Sequence, residues 1–301
     1  MEPIVIKINK NLLDKMKKFY DSQMISNEDS HVLFAAKTVG CEIACHDDFT
    51  VSFVGINALN EANHWQKSSK KTHQLYDDGI CIQNHIGAAE YGSADYFGPM
   101  CIVACYVDQD DINWLKEIDV TNTIHLSNQE IIEKARQIKD RILYSLLLLD
   151  NTHYNKAIGN GINQANLKAK LHNQAITNIM QKLQQPVDTK VIEQFVSSKT
   201  YYNYLKSEVV VVKDVQFEQN ADLKFYAVGC SYILAKYAYL QYFANMCKSL
   251  KVTLPRGTSA NVDVIGSDLV CTYGENILNK TAKLHLTNTR RIRDLAAKKG
   301  I

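Results

Sequence analysis

A short connection rich in glycine, acidic and aromatic residues constrains the fold of this chain more than any other feature. It joins the apolar runs 80–86 and 100–107, and from Ile86 to Pro99 it reads IGAAEYGSADYFGP. Gly92 and Gly98 permit positive φ and carry no Cβ that would hold a ligand away from the backbone. The residue types leave two interpretations open. Either the backbone approaches a ligand closely here, or the glycines serve only a tight bulged hairpin.

The composition is that of an ordinary globular protein with room for more than one domain. Of the 301 residues, 46% are hydrophobic and 22% are charged, which is enough to bury a sizeable core. The formal net charge of +2 is nearly neutral, so charge alone does not indicate a nucleic-acid partner. Length therefore predicts two domains, and the partner has to be inferred from motifs.

Positive charge is concentrated at the C-terminal end of the sequence. Residues 280–301 contain seven lysines or arginines and a single acidic residue, Asp294. A segment of this kind can lie along phosphates. On charge count alone, a solvated last helix explains it equally well, and both interpretations stay open at this stage.

The eight cysteines do not have the spacing of a zinc site. Cys41 and Cys45, like Cys101 and Cys105, are four residues apart, which places each pair on one face of a strand and not in a CxxC motif. The sequence begins without the charged and apolar regions of a signal peptide. We therefore expect buried, reduced thiols in a cytoplasmic protein. The apolar runs are too short to span a bilayer, so no membrane role is expected.

Periodicity predicts a small α+β domain at the N-terminus and a larger domain after a polar linker. The first part predicts a strand, a helix, two or three strands and a second helix, at residues 3–9, 11–20, 32–45, 50–54 and 57–65. The polar sequence KSSKKT from Lys67 to Thr72 then marks a boundary. We predict domains at 1–66 and 80–301, joined by a linker at 67–79.

The second domain alternates apolar runs with helical periodicity. Ser127 followed by Glu130 predicts a capping box, and residues 141–149 predict a buried strand. A helix over 163–183, a strand over 189–195 and a long helix over 225–250 are predicted next. Asp222 precedes the long helix, where a plain N-cap is one interpretation of it.

Three motifs resemble ribonuclease HIII. Residues Ala89 to Pro99 read AEYGSADYFGP, which is similar to the family signature of a strand ending in Asp-Glu followed by GTGDYFGP. LHNQA at 171–175 and AKLHLTNT at 282–289 also resemble family segments. The resemblance implies an α/β fold, a ribonuclease H-like mixed sheet with flanking helices. Before it would come a small α+β N-terminal domain, like half of the TATA-binding protein, that helps hold the substrate.

The resemblance also implies a chemistry. Members of this family cleave the RNA strand of RNA–DNA hybrids with two Mg²⁺ or Mn²⁺ ions held by carboxylates. Carried over by motif, the catalytic and metal-ligating residues are Glu90, Glu193 and Asp222. The substrate-binding residues, whose backbone reads ribose 2′-hydroxyls in the family, are Gly92, Ser93, Ala94 and Tyr96. His172 in LHNQA either contacts substrate or is a packing residue.

The sequence departs from the family pattern at three places around this site. Ala89 stands where the family has the first catalytic Asp, the ligand that bridges both ions. Asn122 to Ile124 replace a loop that carries Asp-Ser-Lys, and Glu193 replaces an Asp, which shifts a ligand oxygen by roughly 1 Å. The residues around the expected metal site are therefore altered, while the glycine-rich loop is nearly intact.

Three hypotheses remain from the sequence. The chain is a working metal-dependent endonuclease on RNA–DNA hybrids, a catalytically impaired hybrid-binding protein, or a globular interaction protein in which the loop is only a turn. For each of them we expect a monomer.

Overall fold

The computed structural model describes residues 3–27, 29–59, 61–62, 65, 76–77, 79–183 and 186–299. The chain divides into two compact units, residues 1–78 and 79–301. Most of the predicted linker, and part of the helix predicted at 57–65, lie outside the described residues.

The N-terminal unit contains an antiparallel sheet and a helix. The strands are β1 (Ile4–Lys7), β2 (Met24–Ile25), β3 (Val32–Thr38), β4 (Cys41–His46), β5 (Thr50–Val54) and the two-residue β6 (Tyr76–Asp77). Five of them form one sheet in the order β1-β5-β4-β3-β2. Helix α1 (Lys10–Phe19) begins after Asn9, whose side chain accepts a hydrogen bond from the backbone N–H of Leu12. The strands and the first helix predicted for this part are confirmed.

One stripe of α1 covers the apolar face of this sheet. Leu12, Leu13 and Met16 of the helix are buried against Ile43 and Phe53 of the sheet. Lysines occupy the other side of the helix, as its 3.6-residue period requires of a helix with one face in the core.

The second unit is built on a mixed five-stranded sheet. The strands of this unit are the two-residue β7 (Ile80–Cys81), which is not part of this sheet, and the five strands of the sheet, β8 (His85–Tyr91), β9 (Met100–Val107), β10 (Leu143–Leu149), β11 (Thr189–Glu193) and β12 (Val215–Glu218). The sheet order is β10-β9-β8-β11-β12. Strands β8, β9 and β10 pair antiparallel, whereas β11 pairs parallel with both β8 and β12. The predicted mixed sheet is confirmed.

Helices cover both faces of this sheet. The helices described in this unit are α2 (Ile112–Glu117), α3 (Asn128–Arg141), α4 (Asn151–Gly159), α5 (Gln164–Lys182), α6 (Ser198–Tyr204), α7 (Tyr226–Leu250), α8 (Ala260–Tyr273), α9 (Asn276–Thr281) and α10 (Asn288–Lys298). Short 3₁₀ turns lie at Gln109–Asp111, Thr123–His125 and Ala221–Leu223. The predicted capping box is present at the start of α3, where Ser127 and Glu130 exchange hydrogen bonds with each other's backbone N–H.

The long helix α7 and the helix α5 pack on opposite faces. On β9, Val103 belongs to the core beneath α7, whereas Ile102 belongs to the core beneath α5, as the two-residue period of a strand requires. Gly87 of β8 brings α7 very close, since a Cβ on it would lie 2.4 Å from the backbone nitrogen of Val228. Ser231 fixes this contact by donating a 2.9 Å hydrogen bond to the carbonyl of Gly87.

Three local predictions are corrected by the structure. Strand β8 continues to Tyr91, so Glu90 lies within a strand and the connection itself begins at Gly92. Strand β10 is an edge strand with Leu148 40% exposed, so the prediction of a buried strand was wrong. Asp222 is not the N-cap of α7, because that position is held by Phe225 and Asp222 lies in the preceding 3₁₀ turn.

The cysteine prediction agrees with the structure. All eight cysteines are among the described residues and are free thiols, and the two pairs spaced by four are buried. Burial raises the pKa of Cys105 to about 12, which keeps its thiol protonated. No helix in the described part of the chain combines the length and the apolarity needed to cross a membrane.

Candidate active site

A cavity of about 180 Å³ opens where β8 and β11 end beside α7. Ala89, Glu193 and Asp222 line it, together with the loop that begins at Asn122 and with Tyr232 of α7. We call it the carboxylate pocket. It brings together residues from two neighbouring parallel strands and from the turn before α7, although they are far apart in the sequence.

Glu193 ends β11 and points its carboxylate at two backbone N–H groups. Oε1 accepts a 3.0 Å hydrogen bond from Asn220, and Oε2 accepts a 2.7 Å hydrogen bond from Ala221. Asn220 adopts a left-handed conformation, with φ 51°, at the start of this turn. Burial raises the pKa of Glu193 and the nearby charge of Asp222 raises it further, although the two N–H groups oppose this rise.

Asp222 holds the loop on the other side of the pocket. Its Oδ2 accepts hydrogen bonds from both the backbone N–H and the hydroxyl of Thr123, each 2.7 Å long. Asn122, which precedes Thr123, is left-handed with φ 50°, and Ile124, which follows Thr123, is 75% exposed. The loop that lost two charges relative to the family pattern is therefore tied to Asp222 by Thr123.

Ala89 contributes only a methyl group to the wall of this pocket. It pairs with Val103 in the β8–β9 ladder and is 2% exposed. Among the residues that the structure describes, no group of three or more histidine, cysteine, aspartate or glutamate side chains could hold a metal ion. Of the three predicted carboxylates, the structure brings Glu193 and Asp222 together in the pocket.

Glu90 lies on the opposite face of β8 from Ala89, because successive strand residues point to opposite faces. Its Oε1 is 2.6 Å from the ammonium of Lys168 on α5 and accepts a 2.8 Å hydrogen bond from the hydroxyl of Ser93. His172 of α5 lies 3.8 Å from Oε2. Burial alone would raise the pKa of Glu90, but His172 and Lys168 outweigh it and lower the pKa to about 2.

His172 is a buried packing residue in this structure. It is 1% exposed and its ring stacks on Phe195 with 5.3 Å between centroids. Burial lowers the pKa of the ring, although the carboxylate of Glu90 opposes this. Lys168 lies 4.3 Å above the same Phe195 ring, which adds a cation–π contact to its ion pair. Of the two interpretations of His172, packing is therefore the one that its burial supports.

The connection from Gly92 to Pro99, which we call the glycine loop, is held tightly by its backbone. Gly92 has φ 89°, and a Cβ on it would lie 2.5 Å from the carbonyl oxygen of Pro99 and 2.6 Å from the ring of Tyr239. Gln164 donates a 2.8 Å hydrogen bond to the carbonyl of Ser93. Asp95 accepts a 2.7 Å hydrogen bond from the N–H of Gly257. Gly92 is therefore required both for the positive φ of the turn and for the close approach of the Pro99 carbonyl and the Tyr239 ring.

The four predicted substrate-binding residues lie in different surroundings. Ala94 is exposed and Ser93 partly exposed, so this side of the loop is open to a ligand. Gly92 is buried. Tyr96 is fully buried and its hydroxyl forms a 3.0 Å hydrogen bond with Thr289, so its side chain anchors the loop.

The basic C-terminal segment is largely neutralised by acidic neighbours. Arg291 pairs with Asp263 at 2.5 Å, and Arg293 and Lys299 pair with other acidic side chains. Lys283 is fully buried. With the longer contact of Arg290 to Asp294, four of the seven basic residues have an acidic partner and a fifth is buried, which weakens a phosphate-binding interpretation of the segment.

Comparisons with known proteins agree with the fold. The family model of ribonuclease HII matches residues 86–289, and a domain of unknown function, DUF3378, matches residues 3–76. Ribonuclease HIII of Bacillus subtilis (strain 168) is 34% identical over 99% of both chains, and that of Bacillus licheniformis is 31% identical over 99% of this chain and 100% of the other. This chain belongs to the ribonuclease HIII family.

A solved structure of the same family extends the match to three dimensions. The crystal structure of Bst-RNase HIII in complex with Mn²⁺ superimposes with a TM-score of 0.71 and 27% identity, covering 99% of this chain and 100% of the other. The ribonuclease H-like mixed sheet and the antiparallel N-terminal sheet are therefore confirmed as those of ribonuclease HIII.

The residues of this ribonuclease HIII pocket do not fit a two-ion centre. Hard divalent cations take oxygen ligands, and a two-ion centre needs an oxygen that bridges both ions. Glu193 and Asp222 supply carboxylates, but Ala89 supplies no oxygen and Glu90 is held on the other face of β8 by Lys168. The pocket thus has two of the four acids that the family pattern provides.

Two residues that matter for this site were not found from the sequence. Lys168 has no local pattern that identifies it, and Lys283 lies in the AKLHLTNT motif and in the basic C-terminal segment, neither of which indicates a buried ammonium. A weak signal existed for Lys168, because it lies four residues before His172 and therefore on the same face of the helix.

Proposed function

We propose that this chain binds RNA–DNA hybrids through its glycine loop and cleaves the RNA strand far more slowly than a family member with four carboxylates. The observation that carries the proposal is the position of Ala89. A methyl group forms the wall of the pocket from which the bridging carboxylate would reach the metal ions.

The glycine loop supports the binding part of the proposal. Its exposed side presents backbone and the small side chains of Ser93 and Ala94, which a ribose could approach closely. A 2′-hydroxyl both donates and accepts hydrogen bonds, and it is the group that distinguishes RNA from DNA. We extend this proposal to the N-terminal domain, residues 1–66, as a second contact with the hybrid.

The loss of rate follows from the chemistry of phosphodiester cleavage. Removing a single preorganised electrostatic contribution from an active site costs about 10²-fold to 10³-fold in rate. Ala89 would supply no oxygen ligand to divalent cations in this pocket, so we expect the cleavage rate to be lower by at least that factor.

A working endonuclease is the second candidate function. It is favoured by one observation, that Glu193 and Asp222 lie in the same pocket beside the first strand of the family signature. In this case Mg²⁺ or Mn²⁺ would be bound by these two acids, and water or substrate oxygens would supply the other ligands.

The experiment that tests the proposal restores the missing acid. Wild type, Ala89→Asp and Ala89→Asn are incubated in excess with a labelled RNA–DNA hybrid and Mn²⁺. We expect Ala89→Asp to cleave at least about 10²-fold faster than wild type. Ala89→Asn, which has the same size without the charge, should give no comparable gain.

A wild-type rate that already equals that of Ala89→Asp would overturn the proposal and support the second candidate. If neither wild type nor Ala89→Asp cleaves the RNA strand, the loss of activity has a cause beyond the missing carboxylate at residue 89. The monomeric state and the cytoplasmic location stay predictions from the sequence.

A further inference from the structure

Lys283 is a lysine buried without any exposed surface beneath the glycine loop. Its ammonium donates hydrogen bonds to the carbonyl oxygens of Asp95 at 2.9 Å and Gly98 at 2.6 Å, and a longer one to Pro99 at 3.5 Å. A lysine has three N–H donors and no acceptor. All three donors are therefore directed at one short stretch of backbone.

Burying an ammonium is costly unless every donor is satisfied. Burial lowers the pKa of Lys283 to about 8, although the charge of Asp95 opposes this, so the group stays mostly charged at pH 7. Methionine or leucine would fill a similar volume without this cost. The charged group is therefore best explained by what it does to the backbone around it.

The segment that carries Lys283 is also bonded to the loop by its own backbone. The N–H of Lys283 donates to the carbonyl of Tyr96, and the N–H of Gly98 donates to the carbonyl of Thr281, each at 2.9 Å. Between them Phe97 and Ala282 form an isolated antiparallel bridge. The loop and residues 281–283 thus form a short strand-like pair, and the ammonium of Lys283 adds further hydrogen bonds between them.

The tether extends to the side of the loop that faces outward. Pro99, whose carbonyl accepts from Lys283, is also the residue whose oxygen limits the space at Gly92. A shift of Pro99 would therefore move Gly92 and with it Ser93 and Ala94. The position of the exposed side depends in this way on a side chain that is itself out of reach of any ligand.

We propose that Lys283 is a positioning residue that holds the backbone of the glycine loop in the conformation that distinguishes ribose from deoxyribose. This inference rests on the proposed function, because it assigns a specificity role to the loop that binds the hybrid. Lys283 has no exposed surface that a ligand could contact, so it would act through the carbonyls of Asp95, Gly98 and Pro99.

The chain offers a matched control in Lys190. This lysine is 9% exposed, lies in β11, and donates to the backbone carbonyls of Val187 at 3.1 Å and Asp188 at 3.3 Å. Lys190→Met and Lys283→Met make the same chemical change to a buried lysine that bonds backbone carbonyls. Of these two lysines, Lys283 bonds the glycine loop and Lys190 does not.

The test compares the affinities of the full-length proteins for a labelled RNA–DNA hybrid and for duplex DNA of the same sequence, with Ca²⁺ in place of Mn²⁺. We expect Lys283→Met to bind hybrid about tenfold more weakly than wild type while its affinity for DNA changes less than about twofold, so the selectivity falls about tenfold. Lys190→Met should keep the wild-type selectivity. Equal selectivity in all three proteins would overturn the inference.

A second measurement does not depend on hybrid binding. Amide hydrogen exchange at Tyr96 and Gly98 should be at least about tenfold faster in Lys283→Met than in Lys190→Met, because the loop loses its tether. Equal exchange rates in the two variants would overturn the positioning role. Wild type that does not distinguish hybrid from DNA would instead sink the proposed function, so the two failures are separable.

If Lys283→Met does not fold, two further measurements still test the positioning role of Lys283. Lys283→Gln keeps two N–H donors without the charge, and we expect a smaller loss of selectivity from it. In wild type itself, the amides of Tyr96 and Gly98 should exchange as slowly as those of the central strands β8 and β9. Fast exchange at these two amides in wild type would contradict a held loop.

Discussion

The glycine loop and the carboxylate pocket are neighbours on the same strand end, yet they are built from different kinds of interaction. The loop is held by backbone hydrogen bonds, by a glycine with φ 89° and by buried side chains beneath it. The pocket depends on the identity of three side chains, of which Ala89 carries no polar group. One substitution can therefore remove catalytic chemistry from the pocket, while the shape of the loop is specified by many contacts at once.

Glu90 lies at the junction of the two regions and belongs structurally to the loop. Its carboxylate accepts from Ser93 and pairs with Lys168, on the face of β8 away from the pocket. If the glycine loop is rigid, substitutions at its contacts should destabilise the fold. Three substitutions test this, in order of decreasing expected effect.

The largest effect is expected at Gly92. Gly92→Ala would force a Cβ against the carbonyl of Pro99 and the ring of Tyr239 at a positive φ, and we expect a loss of about 4 kcal/mol in the free energy of unfolding from strain and overpacking together. Gly161→Ala is the control, since Gly161 has φ 86° but nothing within 4 Å of a Cβ. It should cost only about 1 kcal/mol.

Denaturant unfolding of both variants supplies the measurement for these two glycines. A loss at Gly92 no larger than that at Gly161 would mean that the loop yields easily, and the contrast between a fixed loop and an altered pocket would fail.

The next effect is expected at the buried ion pair of the junction. Lys168→Met removes the partner of the Glu90 carboxylate and should cost about 3 kcal/mol, because an unpaired buried charge remains. Lys170→Met, which breaks the more exposed pair with Glu208 at 2.7 Å, should cost less than about 1 kcal/mol.

The pH dependence of stability tests whether the cost of Lys168→Met comes from the ion pair with Glu90. The pKa of Glu90 in the folded protein is about 2, below its ordinary value of 4.5, so its contribution is complete above pH 4.5 and is lost as the pH falls towards 2. The stability difference between wild type and Lys168→Met should therefore shrink over that window. A difference that does not change with pH would exclude the ion pair as its source.

The smallest effect is expected at Ser93. Ser93→Ala removes the 2.8 Å hydrogen bond to Glu90 and should lower the free energy of unfolding by about 1 kcal/mol. Ser249→Ala, whose exposed hydroxyl bonds a carbonyl of its own helix, should change it little. Identical costs in the two variants would show that Ser93 does not anchor the loop to Glu90.

Much of the fold could be predicted because its signals are local. The capping box at Ser127 and the helix α5 each follow from patterns within a few residues. The error at β10 came from reading a continuous apolar run as a buried strand, although edge strands can carry such runs too. The position of Asp222 was missed because a 3₁₀ turn separates it from α7.

The site was only partly predictable because its decisive contacts are long-range. The family motif identified Glu193 and Asp222, which do lie together, but it could not show that Lys168 on α5 engages Glu90. Strand alternation between Ala89 and Glu90 was available in the sequence and indicates opposite faces. Lys283 lies in the AKLHLTNT motif, but its contacts could not be predicted, because they depend on which part of the backbone packs against it.

The most direct test of the account follows binding and cutting in one sample. Wild-type protein in excess is mixed with an RNA–DNA hybrid that carries separate labels for occupancy and for an intact RNA strand, in the presence of Mn²⁺. We predict that the hybrid becomes fully bound, in preference to duplex DNA, while its RNA strand stays intact long after binding is complete. An RNA strand cut as fast as the hybrid is bound would contradict the account.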